Sequence, residues 1–256
     1  MMRLRFLVFL PLTLLLACAH RAPTATVELI DTSLSITPQA EKSALDAVRG
    51  QILRMDRGDS LVLIPITGNA ENDAGGRILR LQAPTRRESY DADLRRFRDA
   101  AQEQFAAWAS TLGAERCRTD ILGSLDAARQ ELASIPKTDA RRLMVVSDFI
   151  EDDGQYDFAT DRSLSNLKFA RDLASALHGL HSFAADGTQV CLGRLESVEF
   201  EGLSPSRKQA IRVFWMTYLA EAGHAPDIQL DGVGMLTENV SACPAQTAIR
   251  SMKGRQ

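Results

Sequence analysis

The chain is poor in the residues that most often carry catalysis or hold transition metals. It has four histidines and four cysteines in 256 residues. Neither a C-x-x-C pair nor an H-E-x-x-H stretch occurs, so the common zinc-ligand spacings are missing. The absence of any G-x-S-x-G run excludes a serine nucleophile held in a glycine elbow. Neither sign of charge dominates, with 30 Lys and Arg against 33 Asp and Glu. Nucleic-acid binding needs a concentrated basic surface, so no nucleic acid is expected as a partner. No apolar run reaches the roughly 20 residues that cross a bilayer.

What is present begins at the amino end. Arg3 and Arg5 precede an apolar stretch that ends Leu15-Leu16-Ala17-Cys18. A basic start, an apolar middle and a small residue at the cut are the layout of a secretory signal. The four-residue ending resembles the bacterial lipobox. That resemblance implies cleavage before Cys18, diacylation of its sulfur and acylation of the new amino terminus. Residues 1–17 are then the signal, 18–26 a lipidated cysteine with its tether, and 27–256 the folded domain. Acyl chains buried at about 0.8 kcal/mol per methylene would hold the protein to a membrane through Cys18. Ala19, rather than an aspartate, follows the cysteine, which in a Gram-negative host favours the outer membrane, facing the periplasm. Cleavage removes two bases and no acid, leaving a mildly acidic chain. Cys117, Cys191 and Cys243 remain, enough for one disulfide and one thiol in an oxidising compartment. Their spacing does not say which pair forms.

Past the tether, strand-like and helix-like segments alternate. Val27 to Asp31 and Arg142 to Asp148 read as short buried strands. Ser60 to Thr67, "SLVLIPIT", is a continuous apolar run, as expected of a strand covered on both faces. Arg77 to Leu81 alternates apolar and basic residues and reads as a return strand at a sheet edge. Gln189 to Val198 is a further strand. Helical spacing covers Pro38 to Met55, Ala92 to Leu112, Asp120 to Ile135, Ser163 to Leu180, and Ser204 to about Ala222. Thr37 is the expected N-cap of the first helix, with Pro38 in its first turn. A last strand in "DIQLDGVGML" and a last helix from Pro244 to Met252 complete the reading. This alternation predicts an α/β fold: a doubly wound, mostly parallel sheet with one antiparallel edge strand and helices on both faces. Ligands of such sheets bind beyond the carboxyl ends of the strands.

Two polar motifs fall at those ends, and a third stands in a loop between helices. Asp31, Ser33 and Ser35, in "DTSLS", leave the first strand. Thr119-Asp120 stands between two helices, and Asp148 leaves the strand "RLMVVSD". Taken singly, each has an ordinary reading as a turn, a helix cap or a solvated acid. Together, in this order and spacing, they resemble the von Willebrand factor type A family and its metal-ion-dependent adhesion site. Asp31, Ser33 and Ser35 meet the Asp-x-Ser-x-Ser motif, Thr119 the threonine motif, and Asp148 the second aspartate. "FWMTYLAEAGH" looks like the last long helix of bacterial members.

The resemblance implies that Ser33, Ser35 and Thr119 bind Mg2+ or Mn2+ directly, while Asp31 and Asp148 hold coordinating waters. Hard oxygen donors suit these ions. A partner protein would supply an Asp or Glu as the last ligand, so the expected function is metal-assisted protein binding at the cell envelope, not catalysis. Two alternatives stand beside it: a structural envelope lipoprotein with no metal-dependent binding, and a metal-dependent phosphatase. The latter needs a second acid two residues after Asp31 to carry a proton, and that position is Ser33. The family's usual glycine before the threonine is replaced by Cys117-Arg118. Arg118 is expected either to crowd the site or to bring positive charge to it, and Cys117 is a candidate either for a disulfide holding the loop or for a buried free thiol. Glu151, Asp152, Asp153, Asp157 and Asp161 crowd the segment after Asp148, readable as a solvated acidic loop, a specificity loop or a second cation site.

Overall fold

The computed structural model describes residues 22–68, 77–85, 91–112, 118–136, 139–180 and 187–221. Five strands form one sheet: β1 (Thr24–Asp31), β2 (Ser60–Ile66), β3 (Leu79–Gln82), β4 (Ala140–Ser147) and β5 (Thr188–Arg194). Their spatial order is β3-β2-β1-β4-β5. The β1–β2, β1–β4 and β4–β5 pairs are parallel, and the short β3 pairs antiparallel to β2 at the edge. This is the mixed sheet expected from the sequence.

Six helices lie among the described residues: α1 (Pro38–Arg54), α2 (Asp91–Ser110), α3 (Ile121–Ser134), α4 (Leu167–Leu180), the one-turn α5 (Val198–Gly202) and α6 (Pro205–Glu221). They cover both faces, because side chains along a strand alternate between faces. Val27 and Leu29 of β1 join Leu122 and Leu125 of α3, Leu177 of α4 and Phe214 and Trp215 of α6. Ile30 turns the other way, to Val48 and Ile52 of α1 and Phe105 and Trp108 of α2. Each large apolar side chain so buried contributes about 1.5–3 kcal/mol. Thr37 caps α1 through its side chain, which accepts from Ala40 N, and proline occupies the first turn.

Three of the boundaries that differ from the sequence expectation have visible causes. β1 starts at Thr24, where the backbone N–H donates to Asp59 Oδ1 at 2.8 Å, so strand begins within the stretch read as tether. The helix expected from Ser163 is broken: a 3-10 turn spans Arg162–Ser165, and α4 starts afresh because Asn166 Oδ1 accepts from Lys168 N. β5 stops at Arg194, level with the end of β4, and Ser197 then caps α5 by accepting from Phe200 N. Val198, expected to end a strand, opens a helix. Cys191 on β5 is disulfide-bonded; the other three cysteines lie outside the described residues, as do the expected last strand and last helix. No helix among the described residues is long and apolar enough to cross a membrane.

Candidate functional site

The carboxyl ends of β1 and β4 are adjacent in the sheet, with Ile30 opposite Val146. The sequence puts Asp31 after one and Ser147-Asp148 after the other. Asp31 is fully buried. Its Oδ1 accepts from Ser33 N at 2.9 Å, which folds the DTSLS loop back over the strand end, and its Oδ2 accepts from Ser147 Oγ at 2.7 Å. Ser33 Oγ and Ser35 Oγ are 2.9 Å apart, and Ser35 Oγ donates to Asp148 Oδ2 at 3.1 Å. Asp148 Oδ1 accepts from Ile150 N. Asp31, Ser33, Ser35 and Asp148 therefore belong to one hydrogen-bonded group, although Ser35 and Asp148 are 113 residues apart.

Local backbone holds this group in place. Phe149, directly after Asp148, has φ of 65°, the left-handed region that a bulky residue enters only under constraint. The constraints are visible: Phe149 N donates to Ser147 Oγ, and its carbonyl accepts from Trp215 Nε1 at 2.9 Å. Trp215 is thus a core residue of α6 that also fixes the chain beside Asp148. The DTSLS loop is clamped to the segment after β5, where Thr37 N donates to Glu196 O and Val198 N to Ser35 O.

Thr119 arrives at the same end of the sheet by its backbone. It exchanges two hydrogen bonds with Asp152, at 3.0 and 2.8 Å, while Asp120 N donates to Thr67 O just past β2. Its side chain is buried. Among the described residues, the Thr119 hydroxyl makes no hydrogen bond to the Asp31–Asp148 group. Asp120 caps α3, its Oδ1 accepting from Gly123 N at 2.6 Å. Arg118, where the motif usually has glycine, is accommodated by two other glycines. A Cβ on Gly68 would sit 2.5 Å from Arg118 Cβ, and one on Gly154, at φ +88°, would sit 2.1 Å from Arg118 Nη1. Cys117 and Cys18 lie outside the described residues.

The electrostatics follow from burial. Burial, and then the nearby Asp148 carboxylate, push Asp31 up to about 7, while the hydrogen bonds from Ser147 and Ser33 pull back. Asp148 is also raised by burial, against the Ser197 hydroxyl, the Ile150 N–H, Ser35 and the Arg194 charge. Two acids that resist ionisation side by side, with hydroxyls between them, suit a cation better than an apolar ligand.

A cavity of about 340 Å3 opens next to Asp148, lined in part by Arg194, Phe200, Lys208, Arg212, Trp215 and Met216. Its lining mixes basic and apolar side chains with the Asp148 carboxylate. At the mouth of the site two apolar side chains stand in solvent, Leu34 within the DTSLS loop at 71% exposure and Val198 at 76%. Ser147, Ser197 and Arg194 were not singled out from the sequence. Ser147 had one signal, a hydroxyl at the end of an otherwise apolar strand. Of the two histidines near the end of α4, His178 packs its ring against Tyr218, and His181 lies outside the described residues.

No family model and no curated protein matches the chain. Solved structures similar to it include an aerotolerance-related membrane protein from Bacteroides fragilis, 16% identical over 68% of each chain, with a TM-score of 0.36. A von Willebrand factor type A protein from Catenulispora acidiphila is 17% identical over 75% of this chain and 43% of its own, with a TM-score of 0.38. A manganese-loaded TRAP protein from Plasmodium vivax is 12% identical over 84% of this chain and 71% of its own, with a TM-score of 0.40. The mostly parallel sheet with its single antiparallel edge strand and helices on both faces makes this a doubly wound α/β domain.

Proposed function

We propose that this chain is a lipid-anchored envelope domain that binds a partner protein through a divalent cation. One observation carries the reading: the hydrogen-bonded group that joins Asp31, Ser33, Ser35 and Asp148 across two strand ends. Its dimensions suit an ion. Adjacent ligands of an octahedral Mg2+ at about 2.0–2.1 Å lie about 2.9 Å apart, and Ser33 Oγ and Ser35 Oγ are separated by 2.9 Å. Ser33, Ser35 and Thr119 are the residues that would hold Mg2+ or Mn2+, with Asp31 and Asp148 ordering its waters. The bound ion supplies an electron-poor centre for a carboxylate. Such a carboxylate would come from an Asp or Glu of the partner; Arg212 lines the cavity beside Asp148, while Arg194 and Lys208 there already pair with Glu201. Leu34 and Val198 give the partner apolar contacts on either side.

The lipobox-like ending at Cys18 supports anchoring outside the cytoplasmic membrane, and the disulfide at Cys191 fits an oxidising compartment. Catalysis is not part of the proposal, because the residue two positions after Asp31 is a serine and offers no proton carrier. A structural role without metal is the second reading. It is favoured by the fact that Ser33, Ser35, Asp31 and Asp148 already satisfy one another by hydrogen bonding.

Calorimetric titration of Mg2+ separates the two. The metal-binding reading expects one site per chain, lost on combining Ser33→Ala with Ser35→Ala. Capture of envelope proteins on the immobilised chain should then require Mg2+ and fail in chelator. Equal capture in chelator would leave the structural reading standing.

A further inference from the structure

A second group of acids lies between the loop before α3 and the loop after β4. Asp120, Glu151 and Asp153 each offer a carboxylate oxygen, and the three oxygens lie within 4.8 Å of one another. Glu151 is the informative member, being wholly buried. Its Oε2 accepts from Ile121 N and Leu122 N at the start of α3, at 3.1 and 3.3 Å. Its Oε1 is also buried and has no hydrogen-bond partner among the described residues. A buried charged acceptor left unmatched costs several kcal/mol unless something neutralises it. The groups nearest to it make matters worse: after burial, Asp120 and Asp153 push the Glu151 carboxyl well above its ordinary range, against the two helix N–H groups. Asp120 and Asp153 are only half-buried, so a small ion has a way in.

We propose that Asp120, Glu151 and Asp153 form a second cation site, of the calcium type, with Glu151 Oε1 as its buried ligand. Calcium–oxygen distances of about 2.3–2.6 Å place opposite ligands up to about 5 Å apart, so oxygens within 4.8 Å of one another fit around one ion. Three carboxylates match a hard cation with flexible coordination, and waters fill the remaining positions on the open side. The site bridges two segments already stitched by the Thr119–Asp152 backbone pair. An ion there would pin the loop that carries Thr119. This assignment does not depend on the Asp31 site, and a calcium response that survives loss of Asp31 tells the two apart.

The test titrates calcium alone into the full chain and its Asp31→Ala, Asp153→Asn and Glu151→Gln variants, by calorimetry and by the calcium-dependent change in melting temperature. Asp31→Ala should bind calcium within about twofold of the wild type, whereas Asp153→Asn and Glu151→Gln should bind roughly tenfold more weakly or worse. Asp153→Asn keeps an oxygen for the Gln155 and Tyr156 N–H groups that Asp153 Oδ1 now accepts. It therefore decides the matter should Glu151→Gln fail to fold. The proposal is overturned if millimolar calcium produces neither heat nor a melting shift in the wild type. It is equally overturned if Asp153→Asn binds like the wild type, or if Asp31→Ala abolishes binding.

Discussion

Glu28 and Asp31 stand three residues apart on β1, both sealed from solvent, and the fold treats them differently. Asp31, at the strand's end, receives Ser33 N on one oxygen and Ser147 Oγ on the other. Glu28, in mid-strand, keeps a buried Oε2 with no hydrogen-bond partner among the described residues, and burial pushes it up to about 8 against the attraction of Arg142. Burial alone therefore does not mark a site on this strand. Convergence does: Asp31 lies where other segments end and send hydroxyls toward it, whereas Glu28 lies where neighbouring strands run straight past.

The comparison is open to attack by substitution. The largest effect belongs to Asp31→Ala, which should abolish the Mg2+-dependent rise in melting temperature while Glu28→Gln leaves that rise intact; a ligand at a hundred times its Kd adds about 2.7 kcal/mol. Glu28→Gln should act on stability instead. In the folded chain Glu28 keeps its proton up to about 8, whereas the unfolded chain loses it near the ordinary value of 4.5. Its stabilising contribution is thus whole below 4.5 and is lost as pH rises through 8. Denaturant unfolding across that window should show a flatter profile for Glu28→Gln, with its added stability greatest at the alkaline end. Ser147→Ala comes next. It leaves Asp31 Oδ2 and Phe149 N unpaired, and urea melts should record a loss of about 1–2 kcal/mol. Smallest in stability is Leu34→Ser, within about 0.5 kcal/mol of the wild type because the side chain is already in solvent. Its expected defect is weaker capture of the partner, read as a faster off-rate.

The same contrast explains what was legible in the sequence. Strands showed as apolar runs, and helices as stripes, because each depends on residues close in the chain. The Asp31, Ser33 and Ser35 set and Asp148 could be placed at strand ends for the same reason. Ser147 was passed over because its partner is 116 residues away, and nothing in "VVSD" alone distinguishes a hydroxyl that supports an acid from one that ends a strand. Arg118 read either as an obstruction or as added charge, because the space for it is made by Gly68 and Gly154, each from a different segment. Glu151 was legible as one acid in an acidic loop. That it turns inward under α3, unlike its neighbours, depends on the helix N-terminus above it. The break before α4 rested on one asparagine capping where the apolar stripe ran on without interruption.

The central claim is that hydroxyls from separate chain segments surround one divalent ion. A crystal of the full chain grown with Mn2+ tests it through anomalous scattering. The account predicts a single peak about 2.0–2.2 Å from the hydroxyl oxygens of Ser33, Ser35 and Thr119, with Asp31 and Asp148 reaching it through water. Saturating Mn2+ with no peak among those oxygens, and Ser33 still hydrogen-bonded to Ser35, would contradict it.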